Sequence, residues 1–240
     1  MKILVFSWRD PKHPLAGGAE QVMREHMKGW IEAGHSVTLF SSKIKGLASH
    51  EVIDEISIIR SGYQYLGVQI AGFLYYLKER NNFDFIVDQF HGLPFFTPLY
   101  VRKPKFAVIQ ETARKVWLLN PLPWPLNWVI GALGYITEPL FFMFYRTTHF
   151  MTGSESARED VVKMGIPREN ITVIPHGVVI PKFSTLQRKE KIKTVVYLGM
   201  LSKDKGIENA IKCFKILNGQ GDFRFWVIGK PETEKYGKKI

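Results

Sequence analysis

Nine short apolar runs alternate along the chain with stretches whose apolar residues recur at helical spacing. Most of the runs are rich in Val, Ile and Phe and apolar nearly throughout, which is typical of strands buried on both faces of a parallel sheet. Such strands alternating with helices predict an α/β fold, a Rossmann-like parallel sheet with helices on both faces. The predicted strands are Ile3–Trp8, Ser36–Ser42, Ile56–Arg60, Asp84–Phe90, Phe106–Gln110, His149–Ser154, Ile171–Pro175, Thr194–Gly199 and Phe223–Gly229.

Three helices are predicted from apolar residues three and four positions apart and from the residues that cap them. The first runs from about Gly18 to Ala33 and is closed by Gly34. The second is Ser156–Met164 and the third is Ile207–Leu217. Each lies between two predicted strands, as the crossover helices of a parallel sheet do.

The apolar pattern lapses over Pro181–Lys193, where polar and charged residues follow one another. We therefore expect an N-terminal domain over residues 1–183, a linker over residues 184–193 and the beginning of a second Rossmann-like domain over residues 194–240. The last segment offers only strand, helix and strand, which cannot cover both faces of a sheet. The second domain is thus predicted to be incomplete and the chain to be part of a longer protein, inactive by itself.

Val116–Thr137 is a long stretch without charged residues and is therefore a candidate membrane segment. Three prolines break its first half, and Leu126–Thr137 alone is too short to cross a bilayer. Trp residues among apolar ones suit the headgroup region, so residues 116–146 are predicted to dock on a membrane surface. The alternative is a pair of core helices joined by a proline-rich turn. The predicted membrane contacts are Trp117, Trp124, Trp128, Phe141 and Phe142.

Composition narrows the choice of partner. The net charge is +11, which fits an anionic lipid surface, phosphate ligands or nucleic acid. Nucleic acid is the weakest of these, because the lysines do not interleave with a stacking aromatic platform. The single Cys213 excludes an internal disulfide and a cysteine-rich zinc site. No signal-peptide pattern opens the sequence, so we expect a cytoplasmic protein, peripheral on the inner face of the cell membrane.

Two glycine-containing loops follow predicted strands and open helices. Gly17-Gly18 lies after the first strand, where small residues and a helix N-terminus favour a phosphate group. The loop from Gly199 to Gly206 precedes the third helix and carries Lys205, whose ammonium suits an anion, although a solvated lysine is the alternative. Neither loop has the spacing of a dinucleotide fingerprint or a P-loop.

Taken together, three segments resemble glycosyltransferase family 4. Residues 17–20 read Gly-Gly-Ala-Glu and match the family's GGxE after the first strand. Residues 154–178 match its pattern from Ser-Glu through Gly-Ile-Pro to Ile-Pro-Asn-Gly-Val, with His176 where the pattern has asparagine. Residues 199–206 match its G-R-L…K-G segment at Gly199, Leu201, Lys205 and Gly206. Order and spacing agree over nearly the whole chain.

The resemblance implies a GT-B fold, in which two Rossmann-like domains face a cleft. It implies that the N-terminal domain binds an acceptor and the second binds a nucleotide-diphosphate sugar, which we expect to be UDP-linked. It further implies retention of anomeric configuration, no cofactor and no metal, and the sequence contains no Asp-x-Asp motif. The acceptor is expected to be a glycan or a polyprenyl- or lipid-linked sugar.

Site residues follow from these motifs and from polar residues at the ends of predicted strands. His91 and Glu111 are the predicted catalytic residues. The alternative for His91 is a structural histidine that is hydrogen-bonded to the backbone, and the alternative for Glu111 is an ion pair with Arg114. The predicted donor-phosphate residues are Gly17, Gly18, Gly199 and Lys205, and the predicted acceptor or cleft residues are Glu20, Asp88, Gln110, Arg114, Ser154 and His176.

Two positions depart from the family pattern. Met200 stands where relatives carry an arginine that contacts the donor diphosphate, and Gln110 stands where they often carry histidine. A thioether cannot replace a guanidinium, and an amide cannot take up a proton at neutral pH. These departures keep a second hypothesis open, a catalytically silent sugar- or nucleotide-binding partner subunit on the same fold. A GT-B-like epimerase fits the motifs less well.

Overall fold

A computed structural model describes residues 1–64, 66–120, 122–178 and 191–240, with the side chains of Leu66 and Lys115 left out. The chain divides into two compact units. Unit 1 comprises Met1–Arg114 and Leu133–Gly177, and unit 2 comprises Lys115–Ala132 and Val178–Ile240. Residues 184–190 of the predicted linker lie outside the described residues, and the predicted domain boundaries stay a prediction.

Unit 1 contains an eight-stranded sheet in the order β3-β4-β2-β1-β5-β6-β7-β8. All neighbouring strands are parallel except β3, which runs antiparallel to β4. The predicted parallel α/β sheet is therefore confirmed. The strands are β1 Lys2–Phe6, β2 Ser36–Ser41, β3 His50–Ile53, β4 Ile56–Arg60, β5 Phe85–Phe90, β6 Lys105–Ile109, β7 His149–Thr152 and β8 Ile171–Val173.

Helices cover both faces of this sheet. On one face, Ile3 and Val5 of β1 pack with Met23 and Met27 of α1. On the other face, Leu4 of β1 belongs to a cluster that includes the second helix. The α-helices in the described ranges are α1 Gly18–Glu32, α2 Leu66–Glu79, α3 Leu126–Met143, α4 Glu155–Lys163, α5 Ile207–Asn218 and the short α6 Glu234–Gly237.

Helix α3 extends beyond the uncharged stretch that ends at Thr137. It continues through Glu138 and Pro139 to Met143. By length and composition this helix could cross a membrane. Its last turn is nevertheless packed into unit 1, because the ring of Phe142 is stacked 4.6 Å from that of Phe90. Phe142 is fully buried, which corrects its prediction as a membrane contact.

Unit 2 is built around two parallel strands, β9 Lys193–Leu198 and β10 Phe223–Ile228. Helix α5 connects them, and its Phe214 ring stacks 4.7 Å from that of Phe225. This strand–helix–strand order is the one that the sequence predicts. Both strands end in a glycine, which brings two loops together at their carboxyl ends.

Candidate functional site

The candidate site of unit 1 lies at the carboxyl edge of the sheet, where β1, β5, β6 and β8 end. The loop after β1 leads into α1 at Gly17, whose backbone N–H donates to Glu20 Oε2 at 2.7 Å. Glu20 is only 4% exposed. The Gly17 N–H is therefore already hydrogen-bonded to the Glu20 carboxylate. The backbone N–H groups that remain for an anion are those of the first turn of α1, beginning at Gly18.

His91, which follows β5, lies beside this helix start. Its Nε2 is 3.8 Å from Glu20 Oε1 and 3.3 Å from Gln89 Nε2. The imidazole ring is 5.7 Å from that of Trp8, over which the Arg9 guanidinium lies. Burial lowers the pKa of His91 to about 4; the Glu20 carboxylate opposes this shift and Arg9 adds to it. The ring is therefore neutral at physiological pH, and one of its nitrogens can accept a proton.

Gln110 and His176 meet at the same edge, although 66 positions separate them in the chain. The distance from His176 Nε2 to Gln110 Oε1 is 2.7 Å, so the imidazole donates to the amide oxygen. Gly153 makes this contact possible, because a Cβ there would come 2.3 Å from His176 Nε2. The structure thus brings together two predicted cleft residues from separate strand ends.

Glu111 and Arg114 follow β6 but do not form the ion pair considered as their alternative. Glu111 is exposed and forms no hydrogen bond or ion pair with any residue that the structure describes. The Arg114 guanidinium lies 4.7 Å from the ring centre of Tyr135. Glu111 consequently offers a solvent-facing carboxylate to a ligand, whereas Arg114 is held against α3.

The segment after β6 is fixed by a residue that the sequence analysis does not select. Glu138 of α3 is fully buried, and its two carboxylate oxygens accept the backbone N–H groups of Ala113 and Arg114, each at 2.6 Å. A buried carboxylate needs such donors to offset its desolvation. The feature of the sequence that could have pointed to Glu138 is that it is the only charged residue between Val116 and Tyr145.

Asp88 is placed differently from its prediction as a cleft residue. Its side chain is fully buried and accepts hydrogen bonds from Thr97 Oγ1 at 2.8 Å and from the Tyr145 hydroxyl. Burial raises the pKa of Asp88, and the Tyr145 hydroxyl opposes that shift. Asp88 therefore ties the loop after β5 to the end of α3 and does not face a ligand.

A buried ion network supports the loop after β1. Asp10 is fully buried, and Arg60 donates to it from Nε at 2.7 Å. Arg60 also donates to Glu51 Oε2 at 2.9 Å. Asp10 in turn accepts from the Lys12 backbone at 2.8 Å, which shapes the loop. This pair leaves no local pattern in the sequence, because 50 residues separate its two members.

Ser154 lies at the end of β7, where the predicted strand already gives way to α4. Its Oγ accepts the backbone N–H of Ala157 at 3.1 Å and so caps the helix. Helix capping explains why β7 stops at Thr152. Ser154 remains exposed at the carboxyl edge, but its side-chain oxygen already serves the helix.

The candidate site of unit 2 lies after β9. A Cβ at Gly229 would come 1.7 Å from the carbonyl oxygen of Gly199, so the loops after β9 and β10 are in close contact. Gly206 precedes α5 with a φ of 75°, in the left-handed region that favours glycine. The Lys205 ammonium is half exposed and lies 3.7 Å from Asp204. Met200 is 38% exposed in the same loop.

Metal binding has no obvious ligand set in this structure. Within the described ranges, no group of three or more His, Cys, Asp or Glu side chains is placed to hold a metal ion. Independence from metal stays a prediction. Among the groups that these two edges offer to a ligand are backbone amides, the neutral His91 ring, the exposed Glu111 carboxylate and the Lys205 ammonium.

Comparisons with known proteins agree with this geometry. The family model described as Glycosyltransferase Family 4 matches residues 16–180. Among curated proteins, the alpha-galactosylglucosyldiacylglycerol synthase of Streptococcus pneumoniae is 26% identical over 147 residues, which cover 52% of this chain and 37% of that protein. The chain thus spans well under half of this relative.

Solved structures show the same fold at low identity. The sucrose-phosphate synthase of Thermosynechococcus elongatus matches with a TM-score of 0.70 and 14% identity, over 95% of this chain and 62% of that one. An alpha,alpha-trehalose-phosphate synthase (UDP-forming) of Burkholderia vietnamiensis matches with a TM-score of 0.55 and 13% identity, over 99% and 66%. These neighbours have the GT-B fold, which the resemblance in sequence implies.

Proposed function

Because the chain belongs to glycosyltransferase family 4, we propose that it takes part in transfer of a sugar from a nucleotide-diphosphate donor to an acceptor hydroxyl, with retention of anomeric configuration. One observation supports this most directly. Glu20, His91, Gln110, Glu111 and His176 all lie at the carboxyl edge of one parallel sheet, which is where such folds bind ligands.

The donor is proposed to be a UDP-linked sugar. A UDP-forming enzyme is among the structural neighbours, which supports uridine over guanosine. In unit 2 the half-exposed Lys205 ammonium and the loop at Gly199 offer positive charge and backbone amides to phosphate. Taken by itself, unit 1 also offers the first-turn amides of α1 to an anion, although the Gly17 amide is bound to Glu20.

The acceptor is proposed to bind in unit 1. His91 is neutral because burial lowers its pKa, so its unprotonated ring nitrogen can accept a hydrogen bond from an acceptor hydroxyl. The exposed carboxylate of Glu111 can bind a second hydroxyl. The curated relative is named as a synthase of a galactosylglucosyldiacylglycerol, which supports a lipid-linked acceptor and action at a membrane surface.

Binding and turnover separate this proposal from its alternative. UDP, GDP and UDP-sugars are titrated calorimetrically into the protein as its gene encodes it, and transfer is then assayed with Glu111→Gln and His91→Gln variants. We expect binding of a uridine nucleotide and a loss of about 100-fold or more in kcat for either variant. Binding without turnover favours the silent partner subunit, which the presence of Met200 and Gln110 would then explain.

A further inference from the structure

The outer surface of α2 is apolar where a solvent-facing helix is normally polar. Ile70, Phe73, Leu74 and Leu77 are exposed, and their spacing of three, one and three residues places them in one stripe along the helix. Ile70 and Leu74 are 61% and 58% exposed. Isolated apolar residues on a surface are ordinary, but a contiguous stripe marks an interaction site.

In the part of helix α3 that belongs to unit 1, the charged side chain faces the protein interior and the exposed side is apolar. Gly134, Glu138 and Phe142, spaced four residues apart, are buried, so the only charge of this segment points inward. The opposite stripe contains only apolar residues, which are between 52% and 67% exposed. That stripe consists of Leu133, Ile136, Leu140 and Met143.

One loop joins the two stripes into a single surface. The ring of Tyr100 is 5.0 Å from that of Phe73 on α2, and the ring of Phe96 is 5.5 Å from that of Phe141 on α3. Leu99 lies between these contacts and is 61% exposed. The exposed stripes of α2 and α3 together with Leu99 are called the apolar face below.

Cations gather at one end of the apolar face. Because α2 and α3 each precede a strand of the parallel sheet, their C-terminal ends lie at its amino edge, opposite the candidate site. Arg80, Arg102, Lys103 and Arg146 lie at this edge, and none forms an ion pair with a residue in the described part of the chain. The first three line a cavity of about 580 Å³ that also borders Leu99.

We propose that the apolar face docks unit 1 on an anionic lipid bilayer, with α2 and α3 lying in the interface plane and the four cations on lipid phosphates. The inference rests on the membrane part of the proposed function and names the surface and the lipid class. It places the N-terminal ends of the two stripes toward the carboxyl edge, so a lipid-linked acceptor in the same bilayer reaches Gln110 and Glu111.

Charge favours a bilayer over a second copy of the chain. Within the two helical segments the carboxylates are Glu79, which lies against Lys78 and accepts from Asn82, and the buried Glu138. A second apolar face would therefore bring no free carboxylate to the cations. Lipid phosphates supply the missing negative charge, and the acyl boundary accepts the apolar stripes.

The test is sedimentation with vesicles of phosphatidylcholine, with and without phosphatidylglycerol. Ile70→Gln/Leu140→Gln removes two apolar contacts, and its control, Val52→Gln/Ile216→Gln, alters equally exposed residues on β3 and α5. Arg102→Gln/Lys103→Gln removes two cations, and its control, Lys43→Gln/Lys45→Gln, removes two exposed cations from the opposite edge of the sheet.

We expect the apolar variant to bind both kinds of vesicle about 100-fold more weakly. The cation variant should lose about 30-fold on phosphatidylglycerol vesicles and nothing on phosphatidylcholine. Both controls should bind as the wild type does.

Three results overturn the inference. If the variants of the apolar face and its cations bind vesicles as the wild type does, the membrane contact lies elsewhere on the protein. The membrane part of the proposed function would then still stand. If the wild type is a dimer without lipid and Ile70→Gln/Leu140→Gln converts it into monomers, a second copy of the chain covers the apolar face. A wild-type chain that binds neither vesicle removes this inference and the membrane proposal together, while nucleotide binding still tests the transferase proposal separately.

Discussion

Burial divides four carboxylates of unit 1 into two groups with different roles. Glu20, Asp88 and Glu138 are at most 4% exposed, and each accepts a backbone N–H group from a loop at the carboxyl edge. Glu111 is exposed and makes no such bond within the described ranges. The first three therefore position loops, whereas Glu111 is free to bind a ligand.

The matched pair Glu138→Gln and Glu111→Gln tests this division. A glutamine at position 138 offers one acceptor oxygen for two N–H groups, so one buried donor loses its partner. We expect a loss of about 1–3 kcal/mol in the free energy of unfolding for Glu138→Gln. Glu111→Gln should stay within about 0.5 kcal/mol of wild type. Denaturant unfolding measures both, and equal losses would refute the assigned roles.

His91 predicts a pH dependence of stability. Its folded-state pKa, about 4, lies below the unfolded value of roughly 6.5, because burial disfavours the charged ring. The unfolded state thus binds more protons between these values, and stability falls as pH drops from 6.5 to 4. The fall from this group is about 2 kcal/mol after allowance for the 24% exposed side chain.

A His91→Gln variant serves as the control, because glutamine does not titrate. Unfolding of both proteins is followed by circular dichroism across the same pH range. The stability of the wild type relative to the variant should decrease as the solution is acidified. Parallel curves would show that His91 has the same pKa in the folded and the unfolded protein, so that burial does not shift it.

At the scale of elements, the sequence predicts the strands better than the helices. Strands buried on both faces appear as continuous apolar runs, so β1, β5 and β6 are found nearly in full. Helix α2 is missed because its outer stripe is as apolar as its inner one, which removes the helical period. Strand β3 is missed because it is a short edge strand with half of its residues exposed.

Glycine at the end of β7 controls how two elements meet. A Gly153→Ala side chain would overlap the His176 ring, which is exposed and can rotate away. We expect little loss of stability, within about 1 kcal/mol, but loss of the hydrogen bond from His176 to Gln110. The control is Gly177→Ala, where an added Cβ meets no atom within 4 Å. The imidazole resonances in NMR report the bond, and an unchanged His176 signal in Gly153→Ala would contradict this placement.

At the scale of the molecule, motif spacing predicts the family and the GT-B fold. It finds the loops at Gly17 and Gly199 because each carries a short motif that can be read from neighbouring positions in the sequence. It does not find the pair of Asp10 and Arg60, because contacts between residues distant in sequence leave no local pattern. For the same reason it places Asp88 in the cleft, although hydrogen bonds to Thr97 and Tyr145 bury it.

Charge in unit 2 predicts how the donor is held. Lys205 is half exposed and its nearest carboxylate, Asp204, is 3.7 Å away, so its ammonium is accessible to phosphate. We expect Lys205→Ala to weaken binding of UDP by about tenfold, since a charge-assisted contact is lost. Lys212→Ala on α5 is the control and should bind as wild type in calorimetry. Equal affinities for both variants would remove Lys205 from the donor site.

The proposed function is sugar transfer with retention at the carboxyl edge of unit 1. Its most direct test is a transfer assay on the protein as its gene encodes it, with a UDP-linked sugar and a lipid-linked acceptor. The anomeric configuration of the product is read by NMR. We expect a product with the configuration of the donor and a loss of about 100-fold or more in kcat for Glu111→Gln. An inverted product, or nucleotide binding with no transfer to any acceptor, would contradict it.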